Sequence, residues 1–313
     1  MTTPPRVISS HASSSHASSS RTGLIFAFCA YVLWGCLPIY FKSVADVPAM
    51  EVLSHRVIWS LVVAGIGVVI LRDWSPLLVL LRSRKRLLQL VATVSMMSVN
   101  WLIYIWAVGA GHVIDAGLGY YICPLMSVLL AAVFLRERIS RGQLVGILCV
   151  AAGVLWQIVA VGEVPWIALS LAISFGLYGL GRKVVALPAV AGLLAETLVM
   201  APVALIYLAW QEAGGVGHFI DGDAHHRLLL LLAGPFTAIP LLFFAAAANR
   251  LNLQTLGLMQ YLNPTMQLTV AIFLFHEDML PGQGITFTLI WLGLALYSVL
   301  PRLGRRPALN PAG

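Results

Sequence analysis

Ten stretches of about 20 apolar residues follow one another along this chain. They lie near 22–42, 49–71, 87–108, 112–135, 142–161, 164–181, 187–210, 228–248, 253–275 and 283–301. A helix of that length crosses a hydrocarbon core of about 30 Å, and a helix lets a segment in lipid satisfy its own backbone. Connections are short except 72–86 and 211–226, which leaves no soluble domain to host separate chemistry. The pattern predicts an all-α integral membrane protein with ten transmembrane helices. Composition agrees: charged residues are 10% of the 313, against about 25% in a soluble domain. The net charge of +7 is spread over short loops, where it reads as a topology signal and not as a nucleic-acid surface.

Residues 1–21 carry the repeat HASSSHASSS and hold too little apolar mass to offset their own ordering, so they predict a disordered tail. The apolar run after Arg21 is too long for a signal-peptide core and lacks an A-x-A exit. Residues 302–313 form a second tail. Cys29, Cys36, Cys123 and Cys149 sit inside apolar runs without a CxxC, as packing residues.

The loops set orientation. Assigned to alternate sides, sixteen of the nineteen Lys and Arg fall on one side, among them Arg82, Arg84, Lys85, Arg86, Arg136, Arg138, Arg141, Arg182, Lys183 and Arg250. The other side holds Lys42 and Arg227, and Arg56 lies within a span. By the positive-inside rule both termini are expected in the cytoplasm.

The segment PLMSVLLAAVFLRERISRGQ, from Pro124, recurs as PTMQLTVAIFLFHEDMLPGQ, from Pro264, at an offset of 140. Gly117, Leu118, Tyr121, Pro124, Met126, Ala131, Glu137, Gly142, Gln143 and Gly153 are matched by identical partners without a gap. The cations do not recur: Arg136, Arg138 and Arg141 face His276, Asp278 and Pro281. Five spans separate the copies, so the second enters the membrane upside down and its loop, on the opposite side, has no arginines. Two inverted five-helix repeats are therefore expected over 22–161 and 164–301, the architecture of alternating-access transporters with a midplane site.

The motifs AYVLWGCLPIYFK, SHRVIWSL, NWLIYIWAVG, LGYYICPLMSVLL, FLRER, AETLVMAPVALIYL, TAIPLLFFAAA and LGLMQYLNPT resemble the RarD branch of the EamA group, in the drug/metabolite transporter superfamily. The resemblance runs from about Leu24 to Leu300. It implies ten helices around a central cavity, helices five and ten at the periphery, and transport of a small metabolite or drug. Two positions depart from the family pattern: Cys123 replaces an asparagine and Asp115 a glutamate.

Ionisable groups at membrane depth face a cavity or a partner. Arg56 and Glu196 stand 140 apart, at equivalent places in opposite repeats. One reading makes Arg56 an anion-binding group and Glu196 a coupling or gating carboxylate, with His55 as a proton relay. The other makes Arg56 and Glu196 a buried ion pair holding the halves together. Pro124 and Pro264 each free a helical carbonyl, on Tyr120 and Gln260. Tyr120, Tyr121, Gln260, Tyr261 and Asn263 are thus expected at two symmetric helix breaks lining the substrate site. Asn100 and Tyr104 share a helix face with Trp101 beside it, and join the same expected site. Glu137 and Glu277 read as helix caps.

The expected function is secondary transport, as an exporter. An intramembrane enzyme on a lipid-linked substrate is the alternative, but the chain has no HExxH, GxSxG or metal-ligand cluster, and a P-loop is also missing. No cofactor or metal is expected. The expected partners are a small-molecule substrate and the bilayer, not nucleic acid; a homo-oligomer is compatible with all of this.

Overall fold

The computed structural model describes residues 10–303 except 73, 221 and 252. Among these the chain is helical throughout: α1 (Ser10–Gly35), α2 (Leu37–Lys42), α3 (Ala49–Leu71), α4 (Ser75–Leu81), α5 (Arg84–Gly109), α6 (Val113–Leu135), α7 (Arg141–Trp156), α8 (Trp166–Val185), α9 (Ala189–Ala213), α10 (Ala224–Ala248), α11 (Leu253–Met259), α12 (Leu262–Thr269) and α13 (Gln283–Leu303). Two π-helical segments, Gln157–Val161 and Val270–Leu274, extend α7 and α12.

Among the described residues, eight stretches are long and apolar enough to cross a membrane: Arg21–Lys42, α3, α5, α6, Arg141–Ala160, α8, α9 and α10. The last two expected spans differ. The ninth is interrupted at Gln260–Tyr261, between α11 and α12. The described apolar part of α13 is the shorter Gln283–Ser298. At the other end α1 begins at Ser10, inside the segment read as a disordered tail. Ser and Ala extend a helix cheaply once an apolar span has nucleated it. Residues 1–9 and 304–313 of the expected tails lie outside the described residues.

Local signals set many of the helix ends. Ser140 and Gln143 form a reciprocal capping box on α7, and Ser83 and Asp223 accept from the first turns of α5 and α10. Arg136 after α6 and His276 after the second π segment both take a left-handed conformation, with φ of 55° and 54°. The connections gather at two ends of the bundle. At the end poor in Lys and Arg, Asp46 meets His226 at 2.6 Å and Glu51 meets His218 at 2.9 Å. There Glu277 also accepts from the Val113 and Ile114 amides at 3.1 and 3.0 Å, capping α6 as a carboxylate suits a helix N-terminus. At the cation-rich end, Lys183 pairs with Glu137 at 2.5 Å and Arg250 lies over Phe26.

One apolar core runs through most of the bundle. Helix α3 packs between α9 and α10, α8 between α5 and α6, and α1 against α10 and α12. Helices α7 and α13 pack chiefly on each other. They meet where Gly146 and Gly293 let the backbones touch, since a Cβ on either would sit 2.8 Å from the other's carbonyl oxygen.

Candidate functional site

Arg56 lies seven residues into α3, about 10 Å from its start at 1.5 Å per residue. It is 5% exposed. Its Nε donates to Thr237 Oγ1 on α10 at 2.8 Å, and its guanidinium carbon lies 3.9 Å from the Trp101 ring centroid and 5.5 Å from that of Phe41. A guanidinium is weakly hydrated and planar, so ring faces replace its lost water better than they would for an ammonium. Tyr104 stands edge-on to both Phe41 and Tyr120, at 5.7 and 5.4 Å between centroids. The Tyr120 hydroxyl donates to Asn100 Oδ1 at 3.4 Å, and Asn100 Nδ2 bonds to Leu171 O and Ser174 Oγ on α8, both at 3.0 Å. Five helices thus converge on one buried cation. Among the described residues no carboxylate pairs with it, and the Tyr104 hydroxyl beside it has no hydrogen-bond partner.

Glu196 lies seven residues into α9, about 10 Å from the cation-rich end. Its Oε1 accepts from Arg182 Nη1 at 2.9 Å, and the Tyr178 hydroxyl lies 3.3 and 3.2 Å from its two oxygens. The expected alternative, an Arg56–Glu196 pair, is therefore corrected. Tyr178 and Arg182 are one turn apart on α8 and reach the carboxylate first, while Arg56 is near the opposite end. The Arg182 guanidinium lies against Gly192 where any Cβ would stand. An aromatic row joins the two clusters: Tyr120 to Phe175 at 6.1 Å, then Phe175 to Tyr178 at 6.1 Å.

The two prolines do not produce the symmetric breaks expected. Helix α6 runs unbroken through Pro124, whereas Pro264 falls in the first turn of α12, where its missing N–H costs no bond. Gly119 marks a second difference. It brings the α6 backbone against α8, where a Cβ would meet Ala168 O at 2.8 Å, but the repeat places Met259 at the equivalent position. Tyr121 points away from Tyr120, bonding Thr265 on α12 at 2.8 Å beside Phe287 and Trp291. Asn263 accepts from Gln267 at 2.8 Å; Gln260 and Tyr261 are partly buried. Among the described residues none of these four bonds to the Arg56 cluster. His55 turns to Phe219, 4.7 Å between ring centroids, and its Nε2 has no partner. The structure thus gathers Arg56, Asn100, Trp101, Tyr104 and Tyr120, and leaves Tyr121, Gln260, Tyr261, Asn263 and His55 apart.

A cleft of about 310 Å³ opens elsewhere, between α6, α8 and the 136–143 connection. Phe41, Thr237, Phe175, Tyr178 and Arg182 are participants that sequence reading missed. Apart from both clusters, Glu51 is fully buried and accepts the His218 amide at 2.7 Å.

The description "EamA-like transporter family" matches residues 21–159. Over about nine-tenths of the chain, "Protein RarD" of Escherichia coli (strain K12) is 41% identical, with 95% of its own length covered. The chain belongs to the RarD branch of the EamA family. Another relative in that family, "Uncharacterized transporter YojE" of Bacillus subtilis (strain 168), is 42% identical over 90% of this chain and 95% of its own. "Chloramphenicol-sensitive protein RarD" of Pseudomonas aeruginosa is 30% identical over 88% and 93%. A solved crystal structure, 20% identical, matches with a TM-score of 0.56 over 92% of this chain and 99% of its own, a likeness of fold. The chain is thus a multi-pass membrane protein of a transporter family, and its motifs extend over both halves.

Proposed function

We propose that this EamA-family chain is a secondary transporter that exports a small anionic metabolite or drug-like compound across the bacterial inner membrane by alternating access. The observation that carries the reading is Arg56: a buried cation ringed by Phe41, Trp101, Tyr104 and Tyr120, with no carboxylate paired to it among the described residues. A buried charge usually has a partner, and a substrate carboxylate or phosphate would supply one through the guanidinium fork. Glu196, held by Arg182 and Tyr178 toward the other end, is the coupling or gating group of this scheme. The transporter names of the relatives favour this reading over an intramembrane enzyme.

Alternating access rests on two inverted five-helix repeats, 22–161 and 164–301, with ten crossings and both termini cytoplasmic. Several contacts support the duplication. Exchanging residues by 140 turns the Gly146–Gly293 approach into Thr286–Gly153, and a Cβ on Gly153 would meet Thr286 O at 3.2 Å. The Gln143 and Gln283 side chains each accept a backbone amide three residues back, at 2.8 and 3.0 Å. The same exchange converts the packing of α5 on α8 into that of α10 on α1. Untargeted metabolite profiling of medium from deletion and overexpressing cells tests the function. An anionic compound should accumulate outside on overexpression and fall on deletion; identical profiles would remove the reading. Reporter fusions at 220 should read periplasmic and at 84 cytoplasmic.

A further inference from the structure

The cleft at the cation-rich end is separate from the Arg56 cluster. Its floor runs along α6 from Leu135 in to Ser127, about 12 Å of helix, and its far wall is α8 at Gly176 and Gly179. Lys183 and Arg138 stand at its mouth. Glu137 pairs with Lys183, while Arg138 makes no ion pair among the described residues, so the mouth keeps an unbalanced positive charge.

The repeat explains why there is a cleft here. At the equivalent positions of the other half the chain has Cys36 for Gly176, Ile39 for Gly179, Gln267 for Ser127 and Phe275 for Leu135. The cations change as well: Asp278 answers Arg138, and Ser43 answers Lys183. Bulk and charge thus change together. The half whose connection carries arginines keeps a hollow beneath them, and the other has larger side chains at the matching positions. A Cβ on Gly179 would meet nothing within 4 Å, so its smallness is not required by packing.

We propose that this cleft binds an anionic phospholipid, its phosphate headgroup between Arg138 and Lys183 and the start of one acyl chain along Ala131, Ser127 and Gly179. An apolar hollow reaching about a third of the way along α6, under Arg138 and the Glu137-paired Lys183, at membrane-interface level, matches the amphipathic layout of such a lipid. A free anion would have no use for the hollow.

The test uses the full-length protein, purified in detergent and exchanged into nanodiscs of phosphatidylglycerol or of phosphatidylcholine, with retained lipid measured by native mass spectrometry. Phosphatidylglycerol should be retained in preference, falling about fivefold for each cation removed in Arg138→Ala and Lys183→Ala. Gly179→Ile leaves every charge in place and fills the hollow, and should also lose the lipid while holding a wild-type melting temperature in phosphatidylcholine. Inorganic phosphate should not compete. Equal retention of both lipids, displacement by inorganic phosphate, or full retention in Gly179→Ile would each overturn the proposal.

Discussion

Arg56 and Glu196 stand 140 residues apart, each seven residues into its helix, yet the fold treats them in opposite ways. Glu196 is paired with Arg182 and accepts from the Tyr178 hydroxyl, both on α8. Arg56 receives a hydroxyl and aromatic faces but no counter-charge among the described residues. Two charges equally deep in their helices can therefore sit in opposite surroundings. In the proposed scheme the one that lacks a partner is the one that receives the substrate.

The largest effect should come from breaking the paired site. Arg182→Ala leaves Glu196 buried without its cation, a loss of about 3 kcal/mol, near the low end for buried pairs because Arg182 is partly exposed. Membrane abundance should drop severalfold, and adding Glu196→Gln should restore it. A single Arg182→Ala protein at normal abundance would show that the pair does not hold α8 to α9. Glu196→Gln alone keeps shape and loses a titratable proton. It should insert, bind substrate and fail to turn over; unchanged turnover would reduce Glu196 to a packing role.

Smaller effects separate the interior from the ends. Tyr121→Phe removes the bond to Thr265 that ties α6 to α12, and should lower stability by about 0.6–2 kcal/mol without changing substrate affinity. A change in affinity would bring Tyr121 back into the site. At the cation-poor end, burial raises the Asp46 carboxyl, but the hydrogen bond and charge of His226 outweigh it and hold the group below its usual value. The Asp223 carboxyl is held low by the His226 backbone amide and then by its side chain. Depressed carboxylates contribute stability above their unfolded pKa, and that contribution is lost as pH falls through the lower folded value. Protection of the amides in the 43–48 and 222–226 segments, relative to their intrinsic exchange rates, should therefore fall below about pH 4. The side-chain hydrogen bonds of Asp223 and Asp46 hold His226 above its usual value, so its share is present below about pH 6.5 and is lost as pH rises through the raised folded value.

Eight of the spans were legible because hydropathy acts over twenty residues at a time, and Arg56, Asn100, Trp101, Tyr104 and Tyr120 stood out as polar or aromatic groups inside them. Helix rotation was not legible. Tyr120 and Tyr121 are neighbours in sequence and face different helices. Arg182 looked like one more loop cation at the end of a span, although the turn of α8 carries it inward to Glu196. Phe41 and Thr237 look ordinary for a membrane helix until five helices bring them to one guanidinium. The prolines misled for a related reason: what a proline does depends on where the helix starts, and Pro264 falls in a first turn while Pro124 does not.

The central claim is that Arg56 awaits a substrate anion and does not merely fill space. The direct measurement is transport per molecule by Arg56→Lys in proteoliposomes, using the compound found by profiling, with membrane abundance recorded alongside. Lysine keeps the positive charge but cannot offer a planar fork or stack as well on Trp101. The account predicts wild-type abundance with transport reduced more than about tenfold, the loss expected when one charge-assisted hydrogen bond is not reproduced. A variant that transports at the wild-type rate would contradict it.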